Sequence, residues 1–365
     1  MRLKKGPPDF MLFITTLALI GIGLVMVFSS SAVTASVRYD DAYYFFKKQI
    51  MWTFIGLITM IVIMKINYRH LKSFAIPLMI FSLVCLILVV TPLGIATKGS
   101  SRWLGVGSLS FTPSELAKLG MVMFLAKTLE VNIDKIKSFT SGILPYLILL
   151  ALVCGLIMLQ PDLGTAFAIA GTTFFMLLAA GARWSHLGLI GLSGAGVIGI
   201  LIAVAPYRME RFLAFIDPWK YPIDEGFQTI QSLYALGSGG LFGMGLGRSR
   251  QKFFYLPEQH TDFIFAILGE ELGFIGVFLV ISLFLLFAWR GFKIAINAPD
   301  TFGSLLAAGI TIMIVFQAAI NIGVVSGALP VTGITLPFIS YGGSSLLFTM
   351  AAVGLLLNIS RYSNR

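Results

Sequence analysis

The chain has 365 residues, of which 57% are hydrophobic and only 12% charged, with a net charge of +10. Soluble domains carry about 25% charged residues, so this composition, with a mean hydropathy of +0.92, excludes an ordinary soluble globular protein. The two cysteines, Cys85 and Cys154, sit inside apolar runs, and no HExxH or CxxC spacing occurs. A disulfide framework or zinc centre is therefore not expected.

Apolar runs of roughly 20 residues, the length that crosses a bilayer, recur at 10–30, 49–65, 73–92, 113–130, 142–160, 163–181, 186–205, 263–289, 302–326 and 341–359. They predict an all-α integral membrane protein of ten transmembrane helices forming one domain over 1–365. The first run is long for a signal peptide, and no A-x-A-like site follows it. With both termini cytoplasmic, the inner segments hold 14 basic residues against four acidic ones, Asp9, Glu130, Asp134 and Asp300, which accounts for the whole +10. This is a positive-inside signal. A nucleic-acid partner would need a clustered basic domain, and the sequence has none.

Segments 31–48, 93–112, 206–262 and 327–340, with a short corner at 160–163, then lie outside. The large extracellular loop between helices 7 and 8, about 206–262, is the longest break in the apolar pattern and gathers the most charge. In PEQHTDFIFAILGEELG, Asp262 begins a span. It is either a helix cap or a general base facing a wet cavity. Glu270 follows eight residues later, about 80° round a helix, so both carboxylates are expected to lean toward one cavity. Intramembrane acids are costly, which favours function.

Arg102 and Trp103 occupy a Gly/Ser-rich outer loop. Thr112, Pro113 and Glu115 have the spacing of a capping box. Lys118 needs a partner, which Glu115 or Asp162 can supply, and a buried cation near the outer face would suit a phosphate. Asp162 in QPDLGT reads equally as a helix cap or a cavity group. SGALPVTGITLPFISYGGSS suggests a re-entrant or broken helix, whose Ser340, Gly342, Gly343 and Ser344 could hold anionic oxygens. GSGGLFGMGLGRSRQK lacks the Walker spacing. It is expected to be a flexible loop with Arg248, Arg250 and Lys252 nearby. A transporter would show internal repeats and a channel a polar stripe. Polar groups gathered at one face, with apolar walls beside them, fit an enzyme acting on a lipid-linked polar substrate better.

The motifs GSSRWLGVGSLSFTPSELAKL, QPDLGT, APYRMERFLAFIDPW, GFQTIQSLYALGSGGLFGMGLGRSRQKFFYLPEQHTDFIFAILGEELGF and PVTGITLPFISYGGSS resemble, in order and along nearly the whole chain, the SEDS (shape, elongation, division and sporulation) family. The likeness is greater to its sporulation (stage V sporulation protein E) and FtsW types than to RodA. The resemblance implies an inverting peptidoglycan glycosyltransferase that polymerises lipid II outside the bacterial cytoplasmic membrane. Its partners would be a class B penicillin-binding protein and other division or sporulation membrane proteins. By the same resemblance Asp262 is the catalytic aspartate, and Trp103, Glu115, Lys118 and Asp162 line the cavity. Arg102, Arg208, Arg211, Arg248, Lys252, Glu258, His260, Glu270 and the 340–344 run are placed with them. A divalent cation, Mg or Mn, could share the work with Asp262 as ligand. The alternatives are a lipid II flippase and a non-catalytic scaffold that recruits the penicillin-binding protein.

Overall fold

The computed structural model describes residues 5–97, 100–106, 109–223 and 225–363. The chain runs through α1 (Phe10–Tyr39), α2 (Tyr44–Lys65) and α3 (Tyr68–Leu71), then a 3-10 turn into α4 (Ala75–Val90). An antiparallel meander of β1 (Ile95–Thr97), β2 (Ser100–Val106) and β3 (Leu109–Phe111) leads to α5 (Pro113–Val131), α6 (Leu144–Met158), α7 (Leu163–Ala179) and α8 (Trp184–Val204). Two amphipathic helices, α9 (Pro206–Ile216) and α10 (Phe227–Ser238), precede α11 (Ile264–Ile296), α12 (Thr301–Val325) and α13 (Gly343–Ser360).

Every apolar run read from the sequence coincides with a helix. Among the described residues eight segments are long and apolar enough to cross a membrane, and α7 is apolar but shorter. The remaining run, α5, spans 19 residues and carries Glu115, Lys118, Lys127 and Glu130. Among those eight, α12 and α13 are the most enclosed and α8 is the least. With apolar side chains covering the outside of the bundle, this is a multi-pass membrane protein.

One end of the bundle is tied by ion pairs and caps. Asp9 caps α1 by accepting from the Leu12 amide at 2.9 Å and also pairs with Arg290. Arg69 meets Asp300 at 2.9 Å and Lys72 pairs with Glu130. The Asn358 carboxamide donates to the Met64 carbonyl at 2.8 Å and the Ile63 carbonyl at 3.0 Å. The opposite end holds the meander, the 159–162 corner, the 205–263 segment and the 326–342 segment.

Span 263–289 is not one straight helix. Gly273 sits at φ 65°, ψ −164° and breaks α11. Backbone groups freed inside a bilayer must find partners within the protein, and the glycine-rich segment after α10 supplies them. Met244 and Gly245 amides donate to the Glu270 and Glu271 carbonyls at 2.9 and 3.0 Å. Phe274 and Ile275 amides donate back to Gly240 and Leu241 at 2.9 and 3.2 Å. Gly243, at φ 79°, packs so closely that a Cβ would stand 2.1 Å from the Glu271 carbonyl oxygen. The GSGGLFGMG run is thus a strap seated on a broken helix, and a freely flexible loop is ruled out there.

Candidate active site

Residues 331–342 are neither a re-entrant nor a broken helix. They form an extended segment that ends in a turn, with Ile334, Leu336, Phe338, Ile339 and Ser340 buried. Pro330 and Pro337 lack amide donors, and Gly333 takes φ 73°. Buried irregular backbone needs side-chain partners. Gln317 and Asn321 stand one turn apart on α12, where residues four apart share a face. They donate to the Thr335 carbonyl at 3.0 Å and the Ile334 carbonyl at 2.7 Å. From α2, Gln49 donates to the Ser340 carbonyl at 3.3 Å and accepts from the Gly342 amide at 3.4 Å.

Asp262 lies against this segment. Helix α11 begins at Ile264 with Phe263 at its N-cap, so neither Thr261 nor Asp262 occupies the cap position the sequence allowed. The Thr261 hydroxyl instead donates to the Glu258 carboxylate at 3.1 Å. The Asp262 carbonyl accepts from Asn321 at 2.7 Å, and the preceding Thr261 carbonyl accepts from the Ser340 hydroxyl at 2.6 Å. The half-buried Asp262 side chain faces Gly333, where a Cβ would come within 3.5 Å of Oδ2. His260 packs its ring on Phe45 and Tyr341, with centroids 4.6 and 5.8 Å away. Burial, reinforced by Tyr44 and Tyr39, pushes the Tyr341 phenol up to about 12, so it stays a neutral donor.

Lys118 is 7% exposed and pairs with Glu115 at 2.9 Å, one turn back on α5, and with the Gln317 carboxamide oxygen at 2.6 Å. Gln317 therefore joins this ion pair to the 331–342 segment. The capping box is not formed. Thr112 makes no cap bond and its hydroxyl instead accepts from Ser344 at 3.2 Å, which frees Glu115 to neutralise Lys118. Asp162 caps α7 by accepting from the Thr165 amide at 3.0 Å and hydroxyl at 2.9 Å. Arg102, on β2, reaches over that corner to the Pro161 carbonyl at 2.9 Å and to Asp162 at 3.7 Å. Trp103 follows it, half-buried and paired in register with Ile95.

Several expected cavity residues are engaged elsewhere. Glu270, 1% exposed, accepts from the Ser249 hydroxyl and from the Arg250 amide at 2.8 Å. It anchors the strap and does not face Asp262 as a second carboxylate; the rotation argument fails because the helix starts only at Ile264. Lys252 is 4% exposed and lies 3.0 Å from buried Glu271, which also accepts from Ser29 of α1 at 2.6 Å, so Lys252 is a core group and not a loop cation. Arg208 donates to the Leu201 carbonyl at 3.1 Å and closes the end of α8, while Arg211 pairs with Glu225 at 3.0 Å. Arg248 and Arg250 are exposed. The 340–344 run is a joint more than an anion cradle. Its Ser340 hydroxyl, Gly342 amide and Ser344 hydroxyl are all committed, and Gly343 packs against the Trp52 indole, 2.2 Å from where a Cβ would sit. Among the described residues no group of three His, Cys, Asp or Glu is arranged to hold a metal.

Gln317, Asn321 and Gln49 were not legible as site residues. Their only sequence signal was a polar side chain in an apolar run. Together the geometry defines a helical membrane protein with the Asp262 carboxylate held against the irregular 331–342 segment at one end of the bundle. Residues 10–365 match the model of the FtsW/RodA/SpoVE family of cell cycle proteins. The chain belongs to that family. It is 52% identical to stage V sporulation protein E of Bacillus subtilis (strain 168), over 100% of both chains. It is 44% identical to the probable peptidoglycan glycosyltransferase FtsW of Geobacter sp. (strain M18), over 99% of this chain and 98% of that one. Among solved structures, a chain from a peptidoglycan synthase complex that coordinates polymerization and crosslinking superposes with a TM-score of 0.81 at 33% identity, covering 97% of this chain and 98% of the other. The Thermus thermophilus rod shape determining protein RodA superposes with a TM-score of 0.73 at 31% identity, covering 98% of each.

Proposed function

We propose that the chain is a peptidoglycan glycosyltransferase that polymerises lipid II at the outer face of the bacterial cytoplasmic membrane, crossing it ten times with both termini inside. The observation that carries this reading is the placement of Asp262. It is a half-buried carboxylate held beside Gly333, on backbone fixed from two sides and outside the N-cap position of α11. The orientation is supported by the end that holds Lys5, Arg69, Lys72, Arg290 and Arg361, which the positive-inside rule puts in the cytoplasm.

In the reaction the 4-hydroxyl oxygen of the acceptor N-acetylglucosamine bonds to C1 of the donor N-acetylmuramic acid. The bond from C1 to the phosphate oxygen breaks, polyprenyl diphosphate leaves and the anomeric centre inverts. Asp262 takes the hydroxyl proton, a contribution of about 10²–10⁴-fold. In this reading the exposed Arg248 and Arg250 would offset charge on the leaving diphosphate. A cation that keeps its own waters and shares substrate phosphate suits a single carboxylate; Mg or Mn held by Asp262 would supply that same charge. A class B penicillin-binding protein is the crosslinking partner that the synthase-complex likeness supports.

The test is polymerisation of labelled lipid II by protein in liposomes, with and without the partner, with Mg or EDTA, and with a β-lactam blocking crosslinking. Strands from wild type and none from Asp262→Asn are expected. Lipid II translocation without strands would favour a flippase. An inactive protein that still binds and activates the partner would favour a scaffold.

A further inference from the structure

We infer that Asn321 and Ser340 are positioning residues for Asp262, two clamps that fix the backbone on which its carboxylate is aimed; this rests on the reading of Asp262 as the general base. Asn321 is fully buried, and its Nδ2 bridges the Asp262 and Ile334 carbonyls, both at 2.7 Å. Two carbonyls can only accept, so the amide orientation is fixed by its partners. Ser340 makes the second bridge, donating to the Thr261 carbonyl at 2.6 Å and accepting from the Leu336 amide at 2.8 Å. Adjacent carbonyls, of residues 261 and 262, are thus bolted to two points of one segment, at 334 and at 336–340. Next to the first of these points is Gly333, at φ 73°, where an added Cβ would come within 3.5 Å of the carboxylate.

Residue 262 belongs to no helix, so no regular hydrogen-bond ladder sets the direction of its side chain. The two clamps hold the backbone from which that side chain projects. Asn321 also stands one turn from Gln317, which holds the neighbouring Thr335 carbonyl and the Lys118 ammonium. The aim of the base is thereby tied to the ion pair on α5. A shift of about 1 Å at a reacting group can cost about 10²-fold in rate, so losing a clamp should lower kcat far more than it changes KM.

A matched control lies at the other end of the bundle. Asn358, 1% exposed, also donates its Nδ2 to carbonyls, those of Ile63, Met64 and Ile66. The experiment compares Asn321→Leu, Ser340→Ala, Ser340→Thr and Asn358→Leu in full-length protein reconstituted in liposomes, measuring thermal midpoint, kcat and KM for lipid II. Asn321→Leu and Ser340→Ala should lose about 10²-fold in kcat with KM within about threefold, and Ser340→Thr, which keeps the hydroxyl, should recover most of it. Asn358→Leu should lower the midpoint comparably and leave kcat near wild type. Equal losses of kcat in the Asn321 and Asn358 variants would overturn the inference in favour of a general packing role, as would wild-type kcat in Asn321→Leu. Asp262→Asn is measured alongside. If it keeps activity, the reading of Asp262 as base fails on its own account; if it is inactive while the clamp variants are normal, only the positioning role fails.

Discussion

Replacing Glu271 with Gln removes one charge from a pair buried in the body of the protein. Glu271 is 0% exposed and Lys252 4%, with 3.0 Å between Nζ and Oε1. At that distance and an effective dielectric of about 20, the attraction is roughly 5 kcal/mol. It is opposed by a desolvation cost of several kcal/mol for each ion, so the intact pair contributes little net, while half a pair costs about 3–5 kcal/mol. Glu271→Gln leaves the ammonium without a counter-charge, with only neutral acceptors, the new carboxamide oxygen and the Ser29 hydroxyl at 3.4 Å, and falls within that range. Lys252→Met leaves a carboxylate that still accepts from Ser29 at 2.6 Å and from the Ser249 amide at 3.3 Å, and falls at the lower end. The double variant should be at least about 2 kcal/mol more stable than the sum of the singles predicts. Denaturant unfolding of the detergent-solubilised protein measures all three. Singles that each cost under about 1 kcal/mol, or a double equal to their sum, would refute the reasoning.

Gly243→Ala should cost more than Gly247→Ala in thermal midpoint. Both positions have positive φ, a backbone penalty of about 1–2 kcal/mol, but only residue 243 also drives a Cβ into the Glu271 carbonyl, and equal shifts would exclude the close-packing argument. Asp162→Ala should lose about 1 kcal/mol of cap stabilisation, whereas Asp162→Asn keeps an acceptor for the Thr165 amide and should stay within about 0.5 kcal/mol of wild type, read by the same unfolding assay. For Tyr341, burial raises the phenol to about 12, above its ordinary value of about 10. The stability this contributes is complete below pH 10 and lost as pH rises toward 12. The wild-type midpoint should therefore fall more steeply over that window than that of Tyr341→Phe, and parallel curves would count against it.

Features encoded within a few residues were legible. Apolar runs of bilayer length located the helices, because nothing else in a membrane satisfies the backbone over 20 residues. The pairing of Glu115 with Lys118, three residues apart, and the cap at Asp162 are local geometry that a sequence states directly. Asp262 stood out because a carboxylate beginning an apolar run is costly. What failed was regular periodicity carried through irregular backbone. Rotating eight residues from Asp262 to Glu270 assumed a helix that begins two residues later, and the strap after α10 was read as loose because its hydrogen-bond partners lie some 30 residues on, at the break in α11.

The sequence by itself determined the class of protein, the order of its helices and the end of the bundle where polar chemistry gathers. Only the tertiary structure decided which polar groups form the site and which hold the frame. Glu270 and Lys252 went to the frame, and Asn321, Gln317 and Gln49 came to the site. The reason is that buried irregular backbone takes its partners from whatever side chains packing brings within 3 Å or so. Gln49 and Ser340 are 291 residues apart in the chain and meet only when α2 packs against α13.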